Sequence, residues 1–266
     1  MAKNRSATIA AGALATSLLL MSAKAKADQV TECTTDGFCY CIRPELRGTI
    51  QQRVDEIRAR VAAEKAKGKA IGYLSIPIST IGGSYFSENV KIAGEIKERV
   101  ETRFGVKAAW LLNTAAPEVS LPPGATGPEY MLMWTRVLEG ASGTGDFDFI
   151  FFTGPSDFAQ HFGLDGHGDM EKLEDYYDSV VKTDEGLKAV PRRAFRDYYA
   201  LRASVAYSYG SHDEWNIVRA VNEKRRAADS KTGISTQMGV FFDGRQVAPG
   251  LFETPIAAGD ADACRK

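Results

Sequence analysis

The chain has 266 residues, of which 33 are Lys or Arg and 34 are Asp or Glu, so its formal charge at pH 7 is −1. Apolar residues make up 44% of the chain, which argues against a disordered protein. The sequence has no basic stripe, so electrostatics give no reason to expect nucleic acid or anionic lipid as a partner. The length is sufficient for one domain with a well-developed core.

The first 27 residues have the three parts of a secretory signal peptide. A positive start with Lys3 and Arg5 precedes the apolar run 7–21, and small residues before Asp28 offer an A-x-A cleavage site. The apolar run is shorter than the ~20 residues that span a bilayer. We therefore predict an exported protein, periplasmic or secreted, that is not held in a membrane after cleavage.

The four cysteines fit an oxidising compartment. Cys33, Cys39 and Cys41 form a cluster near the start of the mature chain, and Cys264 lies close to its end. A Cys39–Cys41 bridge would close a very tight ring with poor disulfide geometry, so we expect Cys264 to pair with a member of the cluster. A four-thiolate zinc site is the alternative, but export favours disulfides.

Helical and strand patterns then alternate along the chain. Helical periodicity predicts helices from 44 to 67, from about 90 to 104, and at 129–138, 156–162, 169–181, 192–208 and 212–227. Apolar runs predict buried strands at 70–79, 107–113 and 147–152, with a last strand within 236–244.

This alternation is typical of a parallel sheet that is covered on both faces. We predict a single α/β domain over 28–266, with a cysteine-containing N-terminal segment at 28–43. Its fold would be an open, flavodoxin-like parallel sheet of four to five strands, with helices on both faces and a helical insertion after the third strand.

Ligands of open parallel sheets bind outside the carboxyl ends of the strands. The loop after the first strand of the sheet contains Ser79, Gly82 and Gly83 and leads towards a helix, so its backbone amides could hold an anion. The loop lacks the spacing of a Gly-rich nucleotide motif, and a flexible connection is the alternative.

Two further motifs offer weaker chemistry. Asp165, His167 and Asp169 alternate in a glycine-rich stretch that suggests a metal site, but the stretch lacks the length and closing glutamate of a calcium loop. A turn in which Asp169 caps the next helix explains it equally well, and we expect no metal and no cofactor. The chain has no G-x-S-x-G elbow, so serine hydrolase chemistry has little support.

The stretch "GSHDE", residues 210–214, has two interpretations. Ser211 and Glu214 have the spacing of a capping box at a helix start, which would give Glu214 a purely structural role. Alternatively, Glu214 projects into a cleft as a nucleophilic carboxylate. Stability and activity of a Glu214→Gln variant distinguish these alternatives.

Three stretches resemble the nucleoside 2-deoxyribosyltransferase family. "AIGYLSIPIS", with Tyr73, looks like that family's opening strand, "DFDFIFF" is similar to a later strand led by an aspartate, and "GSHDE" matches its Gly-Ser/Thr-x-x-Glu pattern. The resemblance implies that Glu214 attacks the anomeric carbon of a sugar and that Tyr73 orients it. Gly210 and Ser211 would then contact the ligand.

An acid such as Asp148 or Asp157 would assist the leaving group in such a reaction. The chain departs from the family at Ser208, where the family has an aspartate, in its long helical insertion and in its signal peptide. The expected partner is a small nucleoside- or sugar-like molecule. Two functions remain open, an enzyme that cleaves N-glycosidic bonds and a binding protein that keeps the fold without the chemistry.

Overall fold

A computed structural model describes residues 29–78, 81–233, 236–248 and 263–265. The signal peptide expected at 1–27 lies outside these residues. Within the described ranges, no helix combines the length and the apolar character that crossing a bilayer requires.

The described residues form an α/β fold. Its strands are β1 (Val30–Cys33), β2 (Cys39–Ile42), β3 (Ala70–Ser75), β4 (Ala109–Asn113), β5 (Phe149–Phe152), β6 (Gly239–Phe242) and β7 (Arg245–Val247). Its helices are α1 (Arg47–Ala66), α2 (Phe86–Phe104), α3 (Gly127–Glu139), α4 (Pro155–Phe162), α5 (Asp169–Val180), α6 (Arg192–Leu201) and α7 (Tyr209–Thr232).

The central sheet has the strand order β4-β3-β5-β6-β7. The first four strands are parallel, and β7 returns antiparallel to β6 at one edge. Tyr73 lies at the centre of this sheet, opposite Leu112 on one side and Ile150 on the other. The prediction of an open, flavodoxin-like sheet is confirmed, and the order reverses between β3 and β5, where such folds bind ligands.

Helices cover both faces of the sheet. One apolar core joins α1, α3 and α7 to Tyr73 and its face of the strands, and the other joins α2, α4, α5 and α6 to Leu74 and the opposite face. Tyr73 and Leu74 belong to different cores because successive side chains of a strand point to opposite faces of the sheet. Gly72 is required by this packing, because a Cβ atom there would lie 2.3 Å from the ring of Phe149.

The helical insertion after the third strand of the sheet comprises α4, α5 and α6, as predicted. The helix expected over 192–208 ends earlier, at Leu201, and a short 3-10 helix follows at Val205–Tyr207. The Ser204 side chain accepts a hydrogen bond from the amide of Ala206, which offers the backbone an alternative to continuing the helix.

The N-terminal cysteine segment is a two-stranded hairpin of β1 and β2, and it packs against α3. Disulfides join Cys33 to Cys39 and Cys41 to Cys264. The prediction that Cys264 pairs with the N-terminal cluster is therefore confirmed. A short strand pair of this kind is marginal by itself, so the bridges and the contact with α3 supply its stability.

Candidate functional site

A cavity of about 720 Å³ opens at the carboxyl ends of β3 and β4. Helix α3 and the first turns of α7 form two of its walls. Its described lining residues are Tyr40, Ile76, Ile78, Phe86, Thr114, Ala115, Ser120, Ala125, Gly127, Pro128, Tyr130, Met131, Trp134, Ser208, Tyr209, Gly210, Ser211, Asp213 and Glu214. The cavity lies at the carboxyl edge of the sheet, where open parallel sheets bind ligands, but it lies over β3 and β4 and not at the reversal between β3 and β5.

Glu214 lies in the second turn of α7, not at its start. The helix begins at Tyr209, and the Ser208 hydroxyl accepts a hydrogen bond of 3.3 Å from the amide of Ser211. Ser208 is therefore the N-cap. The capping box between Ser211 and Glu214 does not form, because the Glu214 carboxylate turns to the sheet instead.

Two hydroxyl groups of β3 hold the Glu214 carboxylate. Tyr73 donates a hydrogen bond of 2.5 Å to Oε1, and Ser75 donates one of 2.5 Å to Oε2. Tyr73 and Ser75 are two residues apart on one strand, so both point to the face that α7 covers. The interaction joins residues 141 positions apart in the chain and fixes the carboxylate at the cavity wall.

The electrostatics of Glu214 are unusual for a carboxylate. Burial raises the pKa of Glu214 to about 7, although the hydrogen bonds from Ser75 and Tyr73 act in the opposite direction, and the charge of Asp213 raises it further. Only 6% of the Glu214 surface is exposed. A titratable group with a pKa near neutrality, beside a cavity, is a typical candidate for a functional residue.

The Tyr73 ring is held in position by aromatic neighbours. Its centroid lies 5.8 Å from that of Trp134 and 5.5 Å from that of Phe147, both edge to face. Burial and the nearby Glu214 carboxylate raise the pKa of Tyr73 well above its usual value. The phenol therefore stays protonated at neutral pH and remains a donor to Glu214.

The two acids expected to assist a leaving group lie elsewhere. Asp148 directly precedes β5, so it lies at the amino ends of the strands, where its carboxylate accepts a 2.7 Å hydrogen bond from the amide of Ile71. Asp157 caps α4 through a 2.9 Å hydrogen bond from the amide of Gly154 and forms an ion pair with Arg99. Neither residue is part of the described cavity lining.

The glycines of the loop after β3 have a packing role. Gly83 lies against α6, where a Cβ atom would be 2.0 Å from the carbonyl oxygen of Ala194. Gly82 has a φ of 76°, which L side chains rarely adopt. Neither belongs to the described cavity lining, and Ser79 lies outside the described residues.

The Asp165–Asp169 stretch forms a turn that satisfies its own carboxylates. Asp169 accepts hydrogen bonds from the amides of Asp165 and Gly166, and Asp165 accepts from the amide of His167 and from Lys172. Within the described residues, no three Asp, Glu, His or Cys side chains are grouped to hold a metal ion.

The cavity brings together four of the expected residues and adds others that the sequence did not indicate. Glu214, Gly210 and Ser211 line it, and Tyr73 supports Glu214 from behind. Ser75 was missed, although its position two residues after Tyr73 in a strand is the signal that would have found it. Asp213 was also missed, although it directly precedes Glu214 in "GSHDE". The aromatic lining residues were missed because they come from segments that are distant in the sequence.

Comparisons with protein-family models, with curated proteins and with solved structures found no match to this chain. The resemblance to the nucleoside 2-deoxyribosyltransferases therefore depends on the three short motifs alone. The functional argument depends on the geometry around Glu214.

Proposed function

We propose that this protein is an exported enzyme that cleaves or transfers an N-glycosidic bond of a nucleoside-like substrate, with Glu214 as the nucleophile. One observation carries the proposal. A buried carboxylate, held by the hydroxyls of Tyr73 and Ser75, lines a cavity at the carboxyl edge of a parallel sheet. The cavity volume of about 720 Å³ is within the range of small-molecule sites.

In the proposed reaction, one oxygen of ionised Glu214 attacks the anomeric carbon. The new C–O bond forms as the C–N bond breaks, and the electron pair of that bond leaves with the base. Water, or a second base in a transfer reaction, then attacks the same carbon and releases Glu214 as a carboxylate. The proton that the attacking molecule loses balances the proton that the departing base takes up. Tyr73 and Ser75 each occupy one lone pair of the carboxylate and so fix its direction of attack.

Export is part of the proposal. The two disulfides among the described residues are typical of proteins that fold in an oxidising compartment. Together with the signal-peptide pattern at 1–27, they favour a periplasmic or secreted location.

A binding protein without catalysis is the second candidate. Its support is the electrostatics of Glu214, because a carboxylate with a pKa of about 7 is largely protonated in mildly acidic surroundings. A protonated Glu214 would act as a hydrogen-bond donor to a ligand and could not attack carbon. Ser208, which replaces the aspartate of the similar family, also favours binding alone.

The deciding experiment follows release of free base from a panel of nucleosides at pH 8 by chromatography. We expect the parent protein to release base and the Glu214→Gln variant to lose this activity by a factor of at least about 1,000, as for removal of other catalytic nucleophiles. The matched control is Glu185→Gln, which alters an exposed acid on the 3-10 helix Glu185–Ala189 and should leave activity unchanged.

A second measurement tests the covalent step. Incubation with a nucleoside whose sugar carries fluorine at the 2-position should add the sugar mass to the parent protein but not to Glu214→Gln. Equal base release by parent and variant would exclude Glu214 as the nucleophile. Absence of release with every nucleoside in the panel would favour the binding protein.

A further inference from the structure

We propose that the cavity selects a ligand whose planar ring carries a positive charge, a quaternary pyridinium-type heterocycle. If the proposed function holds, on which this identification of the substrate rests, the substrate is an unphosphorylated N-glycoside of such a cationic base. Three features of the cavity lead to this inference. They are the charge of its lining, its aromatic side chains and the position of the acids that could protonate a leaving base.

The described side chains of the cavity lining carry negative charge only. Its described lining includes two acids, Asp213 and Glu214, and no Lys, Arg or His. An opposite charge within a few ångströms of a buried carboxylate is strongly favourable, and a second negative charge is unfavourable. A bound cation would also offset the burial that raises the pKa of Glu214, so that Glu214 would be ionised when the ligand is present.

Aromatic side chains supply the second feature. The described lining contains Tyr40, Phe86, Tyr130, Trp134 and Tyr209. Phe86 is 45% exposed and Tyr209 is 88% exposed, although both line the cavity. Faces of aromatic rings attract cations and also stack on planar rings, so a flat cation gains from both effects.

The third feature concerns protonation of the leaving group. A neutral nucleoside base leaves readily only when an acid protonates it, but Asp148 and Asp157 lie outside the described lining. Asp213, the acid that remains in the lining beside Glu214, acts on Glu214 as a negative charge and so has no proton to give. A pyridinium base needs no proton, because it leaves with the C–N electron pair as a neutral molecule. Attack by Glu214 therefore gives a glycosyl ester and a neutral pyridine, and water then restores Glu214, releasing one proton to solvent.

A phosphorylated version of the same substrate fits less well. Phosphate groups in protein sites are usually bound by Arg, Lys or the amides of a helix start. The described lining has no basic side chain, and its helix start at Tyr209 is followed by the two acids Asp213 and Glu214. Repulsion by these acids should disfavour a sugar phosphate.

The first test is equilibrium binding by titration calorimetry at pH 8, with two probes of similar shape. 1-Methylnicotinamide is a pyridinium cation, and nicotinamide is its neutral counterpart. We expect the dissociation constant of the cation to be at least about 10-fold lower, which corresponds to an attraction of about 1.4 kcal/mol. Equal affinity, tighter binding of nicotinamide, or no measurable binding of either probe would overturn the proposal.

A charge variant identifies the source of this preference. Asp213→Asn should reduce the ratio of the two dissociation constants at least about threefold, because it removes one charge from the cavity lining. Asp175→Asn removes the same charge from an exposed position on α5 and should leave the ratio unchanged. An equal effect of the two substitutions would show that net charge, and not the cavity, sets the preference, and would overturn the proposal.

The second test compares base release from nicotinamide riboside, its 5′-phosphate and inosine. We expect kcat/KM to be highest for the riboside, at least about 10-fold above the phosphate and 100-fold above inosine. Faster release from inosine would overturn this inference while the proposed function stands. A cation preference in binding, with no release from any nucleoside, would remove the proposed function and leave the charge selectivity of the cavity in place.

Discussion

Two buried glutamates, Glu88 on α2 and Glu214 on α7, lie on opposite faces of the sheet, and each accepts a hydrogen bond from a tyrosine. Tyr176 donates to Glu88 over 2.5 Å, and Tyr73 donates to Glu214 over the same distance. The remaining partners differ. Glu88 also contacts His161 and Lys91, whereas Glu214 has the hydroxyl of Ser75.

The partners decide the electrostatics of the two sites. Burial opposes ionisation of Glu88, but the hydrogen bonds from His161 and Tyr176 and the charge of Lys91 outweigh it, and the pKa of Glu88 is lowered. At Glu214 burial prevails, and the pKa rises to about 7. The comparison shows that a buried carboxylate with cationic partners is stabilised as an ion, whereas a buried carboxylate whose described partners are hydroxyl groups can exchange a proton near neutrality.

Among the predictions that separate the two glutamates, the largest expected effect is the pH dependence of activity. The nucleophile must be ionised, so kcat/KM should rise with pH through about 7 and should be lower by a factor of about 100 at pH 5. The measurement is the pH profile of base release from a substrate whose own charge is constant between pH 5 and 9. A profile that is flat down to pH 5 would place the pKa of the essential carboxylate well below that of Glu214.

Replacing each of the two glutamates by glutamine should change the free energy of unfolding differently. At pH 8 we expect Glu88→Gln to lower the free energy of unfolding by about 2 kcal/mol, because it weakens charged hydrogen bonds in a buried position. Glu214→Gln should leave that free energy unchanged or raise it, because it removes a buried carboxylate that pairs with no cation among the described residues. Denaturant unfolding measures both, and comparable losses would contradict the distinction between the two sites.

The sign of the Glu214 effect also depends on pH. The pKa of Glu214 is raised in the folded protein, so its contribution to stability is present below the unfolded value of about 4.5 and is lost as pH rises through about 7. The free energy of unfolding of Glu214→Gln, relative to that of the parent protein, should therefore be highest at pH 8 and lowest at pH 4.

Removing a tyrosine hydroxyl should lower activity when that hydroxyl bonds to Glu214 and should leave activity unchanged when it bonds to Glu88. Tyr73→Phe removes the donor to Oε1, so we expect kcat/KM at pH 8 to fall about 10-fold, equivalent to about 1.4 kcal/mol. The midpoint of the pH profile should move upward, because the ionised carboxylate loses a donor. Tyr176→Phe is the matched control at Glu88 and should change neither quantity.

The smallest expected effect is at His161, which contacts both Glu88 and Glu95. Burial acts against the charged ring, but the two carboxylates outweigh it and raise the pKa of His161. This contribution to stability is present below the unfolded pKa and is lost as pH rises through the folded one. His161→Gln should therefore cost about 1 kcal/mol more at pH 5.5 than at pH 9. A constant difference across this range would show that the pKa of His161 is the same in the folded and in the unfolded protein.

Most of the sheet could be predicted from the sequence, because its strands are apolar runs whose identity does not depend on their neighbours. "FDFIFF" supplies the central strand β5 in this way. The β1–β2 hairpin could not be predicted, since its four-residue strands carry no strong pattern. It depends on the disulfides and on contacts with α3, which lies about 90 residues further along the chain.

The candidate site was predicted in part. The resemblance predicts that Tyr73 orients Glu214, and the two side chains share a hydrogen bond, while their catalytic roles stay a prediction. The predicted start of α7 at His212 is wrong, because Ser208 and Ser211 are equally good caps locally. Only the donors on β3 decide where the Glu214 side chain points. The predicted role of Asp148 in assisting the leaving group disagrees with its position. The sequence already indicates this, since a residue before a parallel strand lies at the amino end of that strand, away from the ligand-binding edge.

The bond between Cys41 and Cys264 has a mechanical consequence. These residues are 223 positions apart, so the bond closes a ring that contains the central sheet and helices α1 to α7, whereas β1 and the start of β2 lie outside it. A force that is applied to the chain at these two cysteines passes through this one covalent link and leaves the central sheet and the helices unloaded. Held between two tethers, the oxidised protein should behave as a short, inextensible connector, and only reduction would allow the fold to be pulled apart.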